Sequence, residues 1–258
     1  MTHVQTDVMD PARAAALCAT LGIDRAPESP LIPFGHQVYF WQAEPPQGLG
    51  RDGHPKLGGL IPDVGLPRRM WAGGRLVFAH PLHAGTPAER HTTLDSVTRK
   101  TGRSGPLALV TLRHEVWQAG RICVTEWQDL VYRAEATPGA PPPTPPQAPD
   151  AAEVTEPAAF LATLLFRYSA LTFNGHRIHY DIEYARHVEG YGGLVVHGPL
   201  LAQRLMLLAE ARLGRLTTFR YRATAPLLAG EAAWLCADGA RLWVRGPHGR
   251  LCMAAEAG

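Results

Sequence analysis

The chain has 258 residues, room enough for two domains of ordinary size. An apolar content of 46% excludes a disordered chain, and a net charge of +2 gives no basis for a general nucleic-acid or membrane-surface protein. Arginine outnumbers lysine 23 to two, with only Lys56 and Lys100; codon usage accounts for this, and single arginines stay candidates for carboxylate or phosphate recognition. Cys18, Cys123, Cys236 and Cys252 lie apart, without a CxxC pair. That excludes a disulfide framework or a zinc–thiolate site and fits a reducing cytosol. No apolar run approaches the roughly 20 residues that span a bilayer, and the first residues lack a signal-peptide core. A soluble cytoplasmic protein is expected.

In chain order, a helix is predicted over residues 10–21, with Asp10 as N-cap, Pro11 in its first turn and Gly22 as stop. Residues 45–68, rich in Gly and Pro, read as an ordered loop. Residues 75–80 and 92–98 are candidate strands. Residues 107–117 and 121–132 are β-rich on either side of Gln118-Ala119-Gly120 and read as a hairpin. Seven prolines between residues 137 and 150 mark an extended spacer that divides the chain into similar halves. Residues 153–163 look partly helical. The histidine-rich run reads as a loop, with a short helix over 182–187. Residues 200–213 carry the wide apolar stripe of a buried helix ended by Gly214. Short strands follow over 217–225, 231–237, 241–245 and 250–254. A long helix followed by an antiparallel sheet is an α+β layout, and two copies of one fold, one degenerate, are expected.

The chemistry is concentrated between Asn174 and Asp181, where Asn174, His176, Arg177, His179 and Asp181 stand within eight positions. Imidazole titrates near neutral pH and suits a general acid or base. The H-x-x-H spacing of His176 and His179 could instead hold a metal, with His187, Asp181 or His197 as a third ligand. A third reading has the two rings satisfying loop carbonyls. About eighteen residues beyond His179 stand Val196, His197, Gly198, Pro199 and Leu200. A helix starting with Gly-Pro offers free N–H groups and a dipole that favour negative charge on a carbonyl oxygen.

Residues 168–185 resemble the motif of the MaoC-like, R-specific enoyl-CoA hydratases, which have the hotdog fold. That motif reads aromatic, small residues, Gly-Asp-x-Asn-Pro-x-His-x-Asp, then Ala. His179 falls on the family's catalytic histidine, Asp181 on its following acid and Ala185 on its closing alanine. Residues 196–200 are similar to the segment that opens the central hotdog helix. Asn174 stands where those hydratases carry the catalytic Asp, His176 where they carry Asn, and Arg177 where they carry Pro. The string from Phe173 to Asp181 resembles a narrower branch: the type 2 hydroxyacyl-thioester dehydratases and the itaconyl-CoA or mesaconyl-CoA hydratases. Asp52-Gly53-His54-Pro55, the run from Pro67 to Gly74, the run from Lys100 to Gly105 and Val131-Tyr132-Arg133 resemble that branch's N-terminal domain. The resemblance covers most of the chain.

The resemblance implies a double hotdog, α+β, each half an antiparallel sheet wrapped around a central helix. Residues 1–136 would be a degenerate dehydratase-type hotdog, 137–150 a Pro-rich linker and 151–258 the catalytic hotdog. It implies a hydro-lyase that adds or removes water across the α,β double bond of a short, branched or dicarboxylic acyl thioester. His179 would be the general base or acid and the Gly198 N–H the oxyanion donor. Asn174 cannot take a proton but can orient water or the imidazole, so His179 would act alone or with Asp181 or His176. Arg177 would pair with a distal carboxylate of the substrate. Tyr168 and His197 would contact substrate, and Lys100, Arg103, Arg68 and Arg69 are candidates for coenzyme A phosphates. Met70 and Trp71 either line the acyl pocket or pack the sheet. The expected partner is an acyl-CoA or acyl carrier protein thioester, with no metal, no other cofactor, no nucleic acid and no membrane; a homodimer is expected. The rivals are a non-catalytic acyl-thioester binder or scaffold, a hotdog thioesterase and, as an outsider, a metal hydrolase.

Overall fold

The computed structural model describes residues 2–102, 105–135 and 144–258. In chain order they form β1 (Thr2–Asp7), α1 (Pro11–Leu21), β2 (Arg68–Phe78), β3 (Ala88–Gly102), β4 (Gly105–Gln118), β5 (Arg121–Arg133) and β6 (Val154–Ala158). There follow α2 (Ala162–Leu171), α3 (Ile182–His187), α4 (Gly198–Leu213), β7 (Thr218–Ala223), β8 (Ala233–Asp238), β9 (Arg241–Arg245) and β10 (Leu251–Ala257). All ten strands join one antiparallel sheet in the order β1-β3-β4-β5-β2-β7-β10-β9-β8-β6. Read from either end, each group of five runs first, third, fourth, fifth, second. The two second strands, β2 and β7, meet at the centre from Gly73↔Arg222 to Val77↔Thr218.

The elements follow from local chemistry. The Asp10 carboxylate accepts the Ala12 N–H at 2.9 Å, Pro11 starts α1, and Gly22 stops it at φ 69°. The β4–β5 hairpin turns through Ala119 and Gly120, both at positive φ (50° and 74°), the twist that a two-residue connection needs. Inward positions alternate along β4 through Ala108, Val110, Leu112, His114 and Val116.

The helix α4 is the centre of the C-terminal half. Leu200, Leu201, Leu205, Met206 and Leu208 are buried, and α4 packs on β2, β7, β8, β9 and β10. Burying each such side chain contributes about 1.5–3 kcal/mol. The shorter α1 packs chiefly against α2 and the 3-10 turn Gly35–Val38. That leaves much of the inner face of β2–β5 open towards a cavity.

Several expectations need correction. Residues 154–158 form a strand, β6, and the helix begins only at Ala162. Because β6 is the outermost strand and pairs only with β8, Pro157 costs no ladder bond to a second neighbour. The other outer strand, β1, has no clear alternation in sequence and was not foreseen. Residues 168–171 belong to α2 and not to the loop. Strands β2 and β3 extend well beyond 75–80 and 92–98, and α4 starts at Gly198, with Pro199 in its first turn. Of the proline-rich spacer, residues 137–143 lie outside the described residues; Gln147 bridges to Arg250 and Ala148 is buried.

Candidate active site

His179 lies on the single turn Arg177–His179 and is only 6% exposed. Its Nδ1 stands 2.7 Å from the carbonyl oxygen of Val195. A carbonyl only accepts, so Nδ1 carries the proton and Nε2 is left with a free lone pair. The ring stacks on His197, with centroids 3.6 Å apart and planes 20° apart. His197 is fully buried and pairs through Nε2 with Ser169 Oγ at 2.8 Å, so α2 and the start of α4 together fix the stack. Burial drives the His179 pKa down to about 4 against an opposing pull from the Val195 carbonyl. His197 is lowered by burial and by the neighbouring His179 and His176. At neutral pH both rings are uncharged.

Gly198 opens α4 directly after His197 and lines the same cavity as His179. Pro199 has no N–H, and the Gly198 N–H has no backbone acceptor among the described residues. Trp71 of β2 lies against Gly198, 3.7 Å from where a Cβ would stand. A free backbone donor at the N-terminus of a 16-residue helix therefore faces a cavity that also holds an unprotonated imidazole nitrogen.

Asn174 follows Phe173, which has φ 50°, a costly value for a bulky residue. The conformation is held from the other half of the chain. Trp41 stacks on Phe173 at 5.0 Å and donates its indole N–H to the Leu171 carbonyl at 3.1 Å. Asn174 Oδ1 accepts the His176 N–H at 3.0 Å, so its amide NH₂ remains available to the cavity that it lines.

The loop around Asp52 and His54 closes the site from the N-terminal half. The Arg177 N–H donates to the Asp52 carbonyl at 2.9 Å. Gly53, at φ 88°, lies so close to Gly175 that an added Cβ would come within 2.0 Å of the Gly175 oxygen. This contact sets the His54 ring 4.6 Å from His176, which meets His179 edge-on at 5.3 Å. His54 is lowered by burial, then by Arg69, His176 and His179; His176 is lowered by burial, then by His179 and Arg69. Burial raises the Asp52 carboxyl. One donor atom from each of Asp52, His54 and His176 lies within 4.8 Å of the others, a set that could meet a cation. Asp52 Oδ1 already accepts the His54 N–H, and the Arg69 charge acts on all three groups, which disfavours a cation there.

The cavity measures about 1830 Å³ and is walled by both halves. The sequence-derived residues divide around it. His176, His179, Asn174, Gly198, Tyr168 and Arg68 line it. Tyr168 sets its ring edge 5.2 Å from His197 and leaves its hydroxyl unpartnered among the described residues. His197 supports His179 from beneath and lines no part of the cavity. Arg177 and Asp181 need correction. Arg177 donates to Asp181 Oδ2 at 3.0 and 2.8 Å and lies over the Tyr184 ring, and Asp181 Oδ1 caps α3 at the Tyr184 N–H. That N–H and the arginine hold the Asp181 carboxyl below its usual range. Both residues are engaged with each other and with the cap, and neither is on the cavity wall. Arg68 is paired with Glu189 at 2.8 Å, which weakens its candidacy for phosphate. Lys100 is exposed on the far stretch of β3, off the cavity, and Arg103 lies outside the described residues. Sequence reasoning missed Asp52 and His54 as site residues, along with Ser169. The Asp-Gly-His-Pro string was the available signal for the first two.

The protein-family model described as hydroxyacyl-thioester dehydratase type 2 matches residues 34–229. The chain belongs to this family. It is 45% identical over 254 residues to the mesaconyl-C(4)-CoA hydratase of Chloroflexus aurantiacus, a match covering 95% of this chain and 90% of that protein. Among solved structures it is similar to a MaoC-like dehydratase from Phytophthora capsici, at TM-score 0.71 and 13% identity, covering 100% of this chain and 94% of that one. It is also similar to a Mycobacterium tuberculosis protein with a double hotdog fold, at TM-score 0.58 and 14% identity, covering 100% and 94%. The duplicated strand order is thus a double hotdog of the MaoC-like kind. The chain is an enzyme of the hydratase/dehydratase class, a hydro-lyase.

Proposed function

We propose that this protein adds or removes water across the α,β double bond of a short, methyl-branched dicarboxylic acyl-CoA, with His179 as its general base and acid. The observation that carries the reading is the His179 ring: one nitrogen is committed to the Val195 carbonyl, the other is free, and the first N–H of α4 shares its cavity. The acyl class follows the hydratase that is 45% identical. In hydration, His179 Nε2 takes a proton from water while the water oxygen bonds to Cβ. The electron pair of the double bond moves towards the thioester, and the Gly198 N–H stabilises the enolate oxygen. The proton then passes from Nε2 to Cα, and the thioester carbonyl re-forms. A lost oxyanion donor of this kind costs about 3 kcal/mol of barrier. The Asn174 NH₂ orients the water, and His176, held by His54, shields the base from bulk solvent.

The test is turnover of a panel of enoyl-CoA and 3-hydroxyacyl-CoA thioesters. His179→Ala is expected to lower kcat by about 10³-fold, in the range of general acid–base catalysis. Undiminished rates in that variant would remove the mechanism. Binding without turnover across the panel would favour a non-catalytic acyl-thioester binder.

We further read residues 1–136 and 151–258 as the two hotdog units, joined by the linker at 137–150 and acting as a homodimer in the cytoplasm. Among the described residues no helix is long and apolar enough to cross a membrane. Light scattering of the purified protein tests the assembly, with a mass of twice 28.0 kDa expected. Coenzyme A is preferred to acyl carrier protein as the carrier, and paired kinetics with both thioesters tests that choice.

A further inference from the structure

Arg69 is a cation of the cavity wall, and Asp52 feels its charge without pairing with it. It makes no hydrogen bond or ion pair with any described residue, whereas its neighbour Arg68 is held by Glu189. In the β2–β5 ladder Arg69 stands opposite Tyr132, and Trp71 stands opposite Leu130. Tyr132 and Leu130 are buried on the inner face of β5, so Arg69 and Trp71 share that face. Trp71 is the residue that lies against Gly198. Two residues along a strand is about 6.6 Å, so Arg69 stands that far along β2 from the tryptophan that lies against Gly198. An unpaired guanidinium on a cavity wall calls for an acceptor from the ligand. Two other arginines of that face are already engaged, Arg90 by the Gln5 side chain and the Phe40 carbonyl and Arg99 by the Val64 carbonyl.

We propose that Arg69 binds the distal carboxylate of the acyl group and so sets the preference for dicarboxylic over monocarboxylic thioesters. This role replaces the one expected of Arg177, and it rests on the dicarboxylic reading above. The guanidinium reads the carboxylate through two N–H donors, and a thioester without that carboxylate leaves the charge unanswered.

The test compares kcat/KM for a methyl-branched butenedioyl-CoA and for the methyl-branched butenoyl-CoA that lacks the distal carboxylate. In Arg69→Met the diacid is expected to lose about 100-fold, mostly in KM, while the monoacid stays within about threefold. The inhibition constant of free coenzyme A is expected to be unchanged in Arg69→Met. Equal losses on both thioesters, or weaker inhibition by free coenzyme A, would overturn the assignment and place Arg69 on the carrier. A wild-type enzyme that hydrates the diacid while Arg69→Met changes nothing removes Arg69 and keeps the acyl reading. A wild-type enzyme that ignores the diacid removes both. If Arg69→Met does not fold, Arg69→Lys carries the same comparison; it keeps the charge without the fork, and an intermediate loss on the diacid alone is expected.

Discussion

The inner face of β7–β10 and that of β2–β5 are built from the same strand order and meet different neighbours. The first is filled by α4, sixteen residues with four buried leucines and a buried methionine. The second carries Arg69, Thr92, His114 and Gln128 around an open cavity. His114 there bridges Thr92 Oγ1 at 2.8 Å and Gln128 Oε1 at 3.1 Å, and burial pushes its pKa down to about 4. One topology thus does two jobs. The half with the long helix supplies a packed core and the His179 imidazole. The half with the short helix gives up packing and holds a polar pocket in its place.

The largest expected effect probes that difference in filling. Leu205→Ala, at a fully buried position of α4, is expected to cost about 2–5 kcal/mol in chemical denaturation. Leu112→Ala, on the cavity wall, is expected to cost less than half as much, because open space already adjoins the side chain. Equal costs would erase the contrast between the halves.

Next comes acid. The folded pKa of His179 is about 4 against an unfolded value of 6.5, so the unfolded chain binds the extra proton. This contribution to stability is complete above pH 6.5, declines as pH falls from 6.5 to 4, and amounts to about 3 kcal/mol. His54, His176 and His197 shift in the same direction. Denaturation midpoints measured from pH 8 to 4 are expected to fall most steeply in that window, and a flat profile would contradict buried neutral rings.

Gly53→Ala attacks the seam between the halves. The added methyl group cannot coexist with the Gly175 carbonyl, so the loop carrying His54 must move. A loss of about 100-fold in kcat/KM is expected, the scale of an ångström-sized misplacement. The smallest effect is Asp181→Ala, which is expected to lower the denaturation midpoint slightly through the lost cap and ion pair while kcat stays within about twofold. A collapse of kcat would return Asp181 to the chemistry.

Much of this was legible in the chain, and the exceptions share a physical cause. The hairpin turn at Ala119-Gly120, the cap at Asp10 and the apolar stripe of α4 are local signals, readable within a few residues. The histidine run and the Gly198-Pro199 helix start, proposed above as base and oxyanion donor, are each local features of the chain. Strands β1 and β6 were missed because outer strands bury little and so carry weak alternation. Arg177 pairs with Asp181, four residues on, and a substrate carboxylate would have to compete with that pairing. His54 gains its place through contact with His176, more than a hundred positions away, and no local pattern announces such a contact.

The central claim is the protonation state of one ring. Nitrogen NMR of the protein carrying ¹⁵N-labelled histidine, assigned by comparison with His179→Gln, reads it directly. His179 is expected to show a protonated Nδ1 and an unprotonated Nε2 from pH 5.5 to 8, titrating only near pH 4. A proton on Nε2 in that range, or titration at the ordinary value near 6.5, would contradict the assignment of this imidazole as a poised neutral base.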